Sequence, residues 1–208
     1  MTKVMFVCCN FTNGGVEQYI LNLVDHIDKS KYEFSVLLFG ERKYDNEEEL
    51  IVRNIKIYKI LNRNNFKELI NKEKINIVHL TLGYQSYTYA KIALKSNAKK
   101  VIIHSHTSLS GRENIGLIQK LARKLLFLYA NKFICTKTIN LACSDLAAQY
   151  LFDKKTDVEI AYNGIDLKRF LDKNIDEDIC DKYGIDETKV CILHIGRLDK
   201  QKKSFVYA

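Results

Sequence analysis

Unbroken apolar runs recur along this chain, and nearly every one is followed by a stretch with helical spacing. The first covers residues 4–9, Val-Met-Phe-Val-Cys-Cys. A strand with one wet face alternates apolar and polar residues, so a run without alternation belongs to a strand covered on both faces. After the polar loop Asn10-Phe11-Thr12-Asn13-Gly14-Gly15, the residues Val16, Tyr19, Ile20, Leu23, Val24 and Ile27 fall at the spacing of an amphipathic helix. The same reading predicts strands at 33–39, 55–60, 76–80, 100–104, 139–143 and 158–161, and helices at 65–73, 87–96, 115–132 and 144–152. Strands that alternate with helices form a mostly parallel sheet. The expected fold is therefore α/β, a Rossmann-like doubly wound parallel sheet with helices on both faces.

The character changes after residue 162. Asn163-Gly164 is a turn signal, and the acidic residues Asp172, Asp176, Glu177, Asp178 and Asp181 follow. A new apolar run over 190–195 then ends in Gly196-Arg197. The division expected is one domain over 1–163, a linker over 164–187, and the first strand of a second domain over 188–208. One strand and a loop cannot bury a core, so the second domain is expected to be cut short. A length of 208 residues agrees, being enough for one good core and the start of another.

Composition excludes several classes. With 47% hydrophobic and 28% charged residues the chain is expected to fold rather than stay disordered. No stretch approaches the ~18–20 apolar residues of a membrane span. The apolar run at residues 4–9 is too short for an export signal and lacks a small-residue cleavage site. Six cysteines with no CxxC pair then read as reduced thiols, and the expected location is cytoplasmic, with peripheral contact at the inner face of the plasma membrane as an option. A net charge of +8 suits an anionic partner, whether nucleic acid, membrane surface or phosphorylated substrate, and equally a solvated surface. The basic residues are dispersed and no nucleic-acid motif occurs, so nucleic acid is not expected as a partner.

In open α/β sheets ligands bind beyond the carboxyl ends of the strands. Those ends carry Asn10–Gly15, residues 81–85, His104–His106, Ser144 and Asn163. Gly14-Gly15 would let the backbone come close to a ligand at a helix N-terminus, although the commoner use of such a pair is a plain strand-to-helix turn. The pair does not form GxGxxG, and Glu17 in the first turn would repel a phosphate brought too near. His104 and His106 share one strand face. They could hold a metal, though no third ligand stands at a recognisable spacing. They could bind or protonate a substrate. The reading favoured here makes His104 a core residue and puts His106 in the cleft. Ser144 caps a helix and could also meet a ligand.

Two basic elements stand apart. In the helix over 115–132, Leu117, Leu121, Leu125 and Leu128 form a stripe, with Lys120, Arg123, Lys124 and Lys132 on or near its other side. Such a helix can lie on an anionic membrane. The commoner reading is a core helix with a solvated basic face. Gly196-Arg197-Leu198-Asp199-Lys200-Gln201-Lys202 follows a strand with an Arg fork and, five residues on, a Lys point charge. This is a candidate pyrophosphate clamp.

In order, Gly14-Gly15-Val16-Glu17, His104-Ser105-His106-Thr107, Ala142-Cys143-Ser144, Tyr162-Asn163-Gly164-Ile165-Asp166 and the run from Gly196 to Lys202 resemble one family. It is family 4 of the GT-B glycosyltransferases, as found in bacterial capsule and exopolysaccharide assembly. The resemblance covers essentially the whole chain and rests on the order and spacing of individually weak motifs. It implies two Rossmann-like lobes, of which this chain holds the acceptor-side one and the first strand of the donor-side one. The implied reaction is a retaining, metal-independent transfer from a nucleotide sugar, with no cofactor, to a saccharide or lipid-linked acceptor. Arg197 and Lys202 match positions that hold the donor diphosphate, and Gly15 matches the loop beside it. His106 matches the histidine near the transferring sugar, with His104 as the alternative. The paired glutamates that the family carries further downstream do not occur before Ala208. The chain alone is thus expected to be inactive as a transferase. The competing reading is a non-catalytic module that binds an acceptor or docks on a partner chain.

Overall fold

The computed structural model describes residues 1–107, 116–171 and 182–185. The chain divides into one compact unit of residues 1–109 with 114–164 and another of 110–113 with 165–208. The first unit is built on seven parallel strands. In chain order its elements are β1 (Thr2–Val7), α1 (Gly15–His26), β2 (Tyr32–Phe39), α2 (Glu47–Val52), β3 (Lys56–Ile60), α3 (Asn65–Glu73), β4 (Ile77–Leu80), α4 (Gln85–Ala93), β5 (Lys100–Ser105), α5 (Leu117–Phe133), β6 (Ile139–Ala142), α6 (Asp145–Leu151) and β7 (Glu159–Ile160), with a turn of 3-10 helix at Cys135–Lys137. The sheet order is β3-β2-β1-β4-β5-β6-β7. In the other unit the chain forms a short helix, α7 (Lys168–Leu171).

The order reverses at β1, and this fixes which face each helix covers. β1 pairs with β2 on one side and, after the long crossover, with β4 on the other. Right-handed crossovers that run in opposite directions along the sheet put their helices on opposite faces. One core accordingly packs Val4, Phe6, Phe34, Val36 and Leu38 against Ile20, Leu21 and Val24 of α1 and Leu50 of α2. The other packs Met5, Val7, Leu37, Val78 and Ile103 against Phe66 and Ile70 of α3, Tyr87 and Ala90 of α4, Ala130 of α5 and Leu151 of α6. Neighbouring residues of β1 feed different cores, which is why its sequence shows no alternation.

Three readings of the sequence need correction. The first strand ends at Val7, and the chain then turns so that Cys8 stays buried while Cys9 is exposed. The helix α2 was not expected. Only six residues long, it contributes one apolar side chain, Leu50, to the core, too little to set up a period. The leucine stripe of α5 was expected to face the core, yet Leu117, Leu121, Leu125 and Leu128 are all exposed. The helix seats itself instead through Ala130, the one buried residue among those described in it. Cys8, Cys9, Cys135 and Cys143 carry free thiols, and burial pushes those of Cys8 and Cys135 up to about 12.

Candidate active site

All seven strands point the same way, so their carboxyl ends form one edge. From β1 outward through β4, β5, β6 and β7, that edge carries the Gly14-Gly15 loop, residues 81–85, His106, Ser144 and Asn163. The sheet thus lines up side chains that stand far apart in the sequence.

Gly14 is the N-cap of α1, and the carboxylate of Glu17 folds back over it, accepting a hydrogen bond from the Thr12 backbone N–H at 3.5 Å. Glu17 is buried. A side chain added at Gly14 would run into the Glu17 carboxylate, whereas one at Gly15 would meet nothing within 4 Å. The positive end of the α1 dipole is therefore already faced by a protein carboxylate. Gly15 offers space rather than charge.

The deepest chemistry on this edge is a stack of three imidazoles, one of which the sequence reading missed. His79 of β4, His104 of β5 and His106 just beyond it lie on the α1 side of the sheet. The His79 Nε2 stands 3.1 Å from the His104 Nδ1. The rings of His79 and His104 are stacked at 5.3 Å between centroids, and those of His104 and His106 lie 3.9 Å apart. Tyr19, one turn into α1, sets its ring edge against His104 at 5.0 Å and tilts over His106 at 4.9 Å. The loop glycines and the imidazoles are thus linked through one helix. His79 and His104 are buried, and His106 is half-buried.

Burial drives all three well below the usual histidine value of 6.5: His79 to about 3, His104 to about 2 and His106 to about 4. Repulsion from His106 adds to the effect on both buried rings, and His104 also feels His79. Three stacked neutral imidazoles offer both donor and acceptor nitrogens. The His104 Nε2 and both nitrogens of His106 are buried and make no hydrogen bond with the described residues. Such groups are costly to leave unmet, so they suit a ligand that both gives and accepts hydrogen bonds, as a hydroxyl does. The rings of His79 and His104 stack and that of His106 tilts by 36° against His104, and among the described residues no group of three or more His, Cys, Asp or Glu is placed to hold a metal ion.

Ser144 caps α6, its Oγ accepting from the Ala147 backbone N–H at 3.2 Å. That bond occupies one lone pair and leaves the hydroxyl proton available. Ser144→Ala is expected to lower stability by about 1 kcal/mol, the usual worth of such a cap; urea denaturation measures it, and an unchanged midpoint would show the cap contributes nothing. Asn163 is exposed on irregular backbone past β7. The next residue, Gly164, is tied back to α1 through its carbonyl, which accepts from the Asn22 side chain at 3.1 Å. Arg197 and Lys202, the candidate diphosphate clamp, lie outside the described residues.

A concavity of about 1300 Å³ opens elsewhere. It lies between the last turns of α5 and the starts of β6 and β7, away from the carboxyl edge. Its asparagines are satisfied: Asn140 donates to the carbonyls of Cys135 and Asp157, and Asn131 accepts from the Asp153 N–H and the Thr156 hydroxyl. Volume without a buried unmet polar atom among the described residues marks a structural seam here rather than the site.

The model of Glycosyltransferase Family 4 matches residues 13–169, most of the chain. The chain belongs to this family. Among curated relatives, it is 25% identical over 186 residues to the capsular polysaccharide biosynthesis glycosyltransferase CapH of Staphylococcus aureus, a match covering 86% of this chain and 51% of CapH. It is 23% identical over 216 residues to EpsF of Bacillus subtilis (strain 168), covering 96% of this chain and 55% of EpsF. This family 4 chain therefore spans about half the length of the curated relatives it matches. Among solved structures, the lipopolysaccharide outer core galactosyltransferase WaaB in its apo form superposes with a TM-score of 0.56 at 17% identity, over 80% of this chain and 47% of WaaB. At that identity the likeness concerns the fold, which is the Rossmann-like GT-B lobe.

Proposed function

We propose that this chain forms the acceptor-side lobe of a retaining, metal-independent glycosyltransferase that moves a hexosyl group from a nucleotide sugar to a saccharide or lipid-linked acceptor in polysaccharide assembly. The observation that carries the reading is the set of unmet imidazole nitrogens on His104 and His106, beside the open Gly15 loop in a family 4 lobe. Neutral imidazoles match sugar hydroxyls, which donate and accept, better than phosphate oxygens, which only accept. In this reading His106 touches the transferring sugar, and Gly15 leaves room for the donor to approach the backbone. Because Glu17 already faces the start of α1, the growing charge of the leaving diphosphate falls to Arg197 and Lys202. Ser144 and Asn163 face the acceptor.

The test uses the full-length gene product with a panel of nucleotide sugars and a membrane or saccharide acceptor fraction. Transfer is expected from one of them, with His106→Ala lowering kcat/KM by roughly a hundredfold, the order seen when one transition-state hydrogen-bonding group is removed. A folded full-length protein that binds acceptor yet transfers no sugar would favour the non-catalytic module. A wild-type rate in His106→Ala would remove that residue from the site.

A further inference from the structure

The helix α5 presents its apolar side away from the sheet. At 100° per residue, Leu117, Leu121, Leu125 and Leu128 lie within one quarter of the helix circumference, while Leu126 and Ala130 lie opposite, toward the core. Leu117 and Ile118 are each 84% exposed. A helix held to a sheet normally turns its apolar stripe inward. Here the stripe is turned to the outside and has no cover among the described residues.

Over the first turns of the helix the charge around the stripe has one sign, whereas at its last turns Leu128 and Lys132 share a concavity with Asp153, Asp157 and Glu159. The helix contains no acidic residue. Lys120 and Lys124 border the leucines and Lys132 lies among them, and all three are exposed. Lys91 of α4, Lys95 just past it and Lys137 line a shallow hollow of about 490 Å³ with Tyr129 and Phe133, on the α4 flank of the helix. In sequence, the whole stretch between Glu73 and Asp145 holds a single acidic residue, Glu113, among many Lys and Arg.

We infer that α5 docks this protein on an anionic lipid bilayer, with Leu117, Ile118, Leu121 and Leu125 entering the interface and Lys120 and Lys124 at the headgroups. Apolar and cationic side chains share one exposed face, and an anionic bilayer satisfies both at once. A second copy of the chain would bring the same cations together with no acid on the helix to meet them. A nucleic acid would leave the leucines in water. The crossover helix runs back against the strand direction, so its first turn, with the two most exposed apolar residues of the helix, lies toward the carboxyl edge that carries His106. Docking by that turn brings the candidate site toward the membrane surface. The inference does not depend on sugar transfer, and it can fail or stand without touching that reading.

The chain has no tryptophan, so Leu121→Trp supplies a single indole as a reporter. Its emission is expected to shift to the blue on adding anionic vesicles of phosphatidylcholine mixed with phosphatidylglycerol, and to stay put with pure phosphatidylcholine. In flotation of the otherwise unchanged chain, binding to the anionic vesicles should weaken in high salt. Lys120→Gln with Lys124→Gln should weaken it by about fivefold per lysine. Leu121→Glu with Leu125→Glu should abolish it, while Lys29→Gln with Lys31→Gln leaves it unchanged. All these positions are exposed or at the helix surface, and circular dichroism checks that each variant is folded. Equal binding to neutral and anionic vesicles, full binding by the Leu→Glu pair, or lipid-independent self-association lost in that pair would each overturn the proposal.

Discussion

At pH 5 the protein should unfold far more easily than at pH 7.5. Each stacked histidine has its folded-state value pressed well below the 6.5 it regains on unfolding: His79 to about 3, His104 to about 2, His106 to about 4. The folded state therefore binds fewer protons than the unfolded chain throughout the interval. Stability is fully present above 6.5 and falls as the pH drops through that value, until the folded-state value of each ring is reached. By pH 5 the loss is about 2 kcal/mol for each ring, or roughly 6 kcal/mol for three. A domain of ordinary stability has only ~5–15 kcal/mol in all. Urea denaturation at the two pH values measures the difference. His104→Phe should be less steeply pH-dependent than the parent, by about a third. A midpoint that does not move between pH 7.5 and 5 would mean the rings are not held neutral inside the fold.

Tyr87→Ala is expected to be the most damaging single core substitution, at about 3–5 kcal/mol. Tyr87 is fully buried in α4, and its hydroxyl donates to the Leu151 carbonyl at the end of α6 and accepts from Asn131 of α5 at 3.5 Å. One side chain thus fills the core and ties three helices together on that face of the sheet. Tyr87→Phe keeps the volume and removes only the hydroxyl, so it should cost about 1–2 kcal/mol, the penalty of an unmet carbonyl and amide. The difference between the two variants in urea separates packing from bonding. Equal losses would show that the hydroxyl, not the ring, holds the three helices.

The sheet was legible in the sequence because burial on both faces removes alternation from β1 and β2, and most of the runs are followed by a stretch at helical spacing. Its order was not, since nothing local distinguishes the strand that pairs with β1 across the long crossover. The α2 helix escaped because six residues that bury one leucine make no period. The stripe of α5 was read correctly as a stripe and wrongly as a core face: periodicity shows that a helix has two sides, not which one the sheet receives. Reading strand ends placed Gly15, His104, His106, Ser144 and Asn163 along the carboxyl edge, where the structure has them. His79 was missed because it stands inside β4, in Ile77-Val78-His79-Leu80, where it interrupts an apolar run without ending it. Only the register, with His79 beside Ile102 and so two residues short of His104 on the same face, brings it under the site.

The position of β1 bears on how the protein is made. Of the seven strands of the sheet it leaves the ribosome first, and β2 and β3 can join it early in synthesis. Its other edge waits for β4, since Val4 pairs with Ile77, far along the chain. At roughly 5–20 residues per second that wait lasts about 4–15 s. Throughout it, an apolar strand presents an open ladder of N–H and C=O groups, the surface on which nascent chains pair wrongly with one another. A ribosome that stalls between the codons of Gly40 and Ile77 would prolong that exposure.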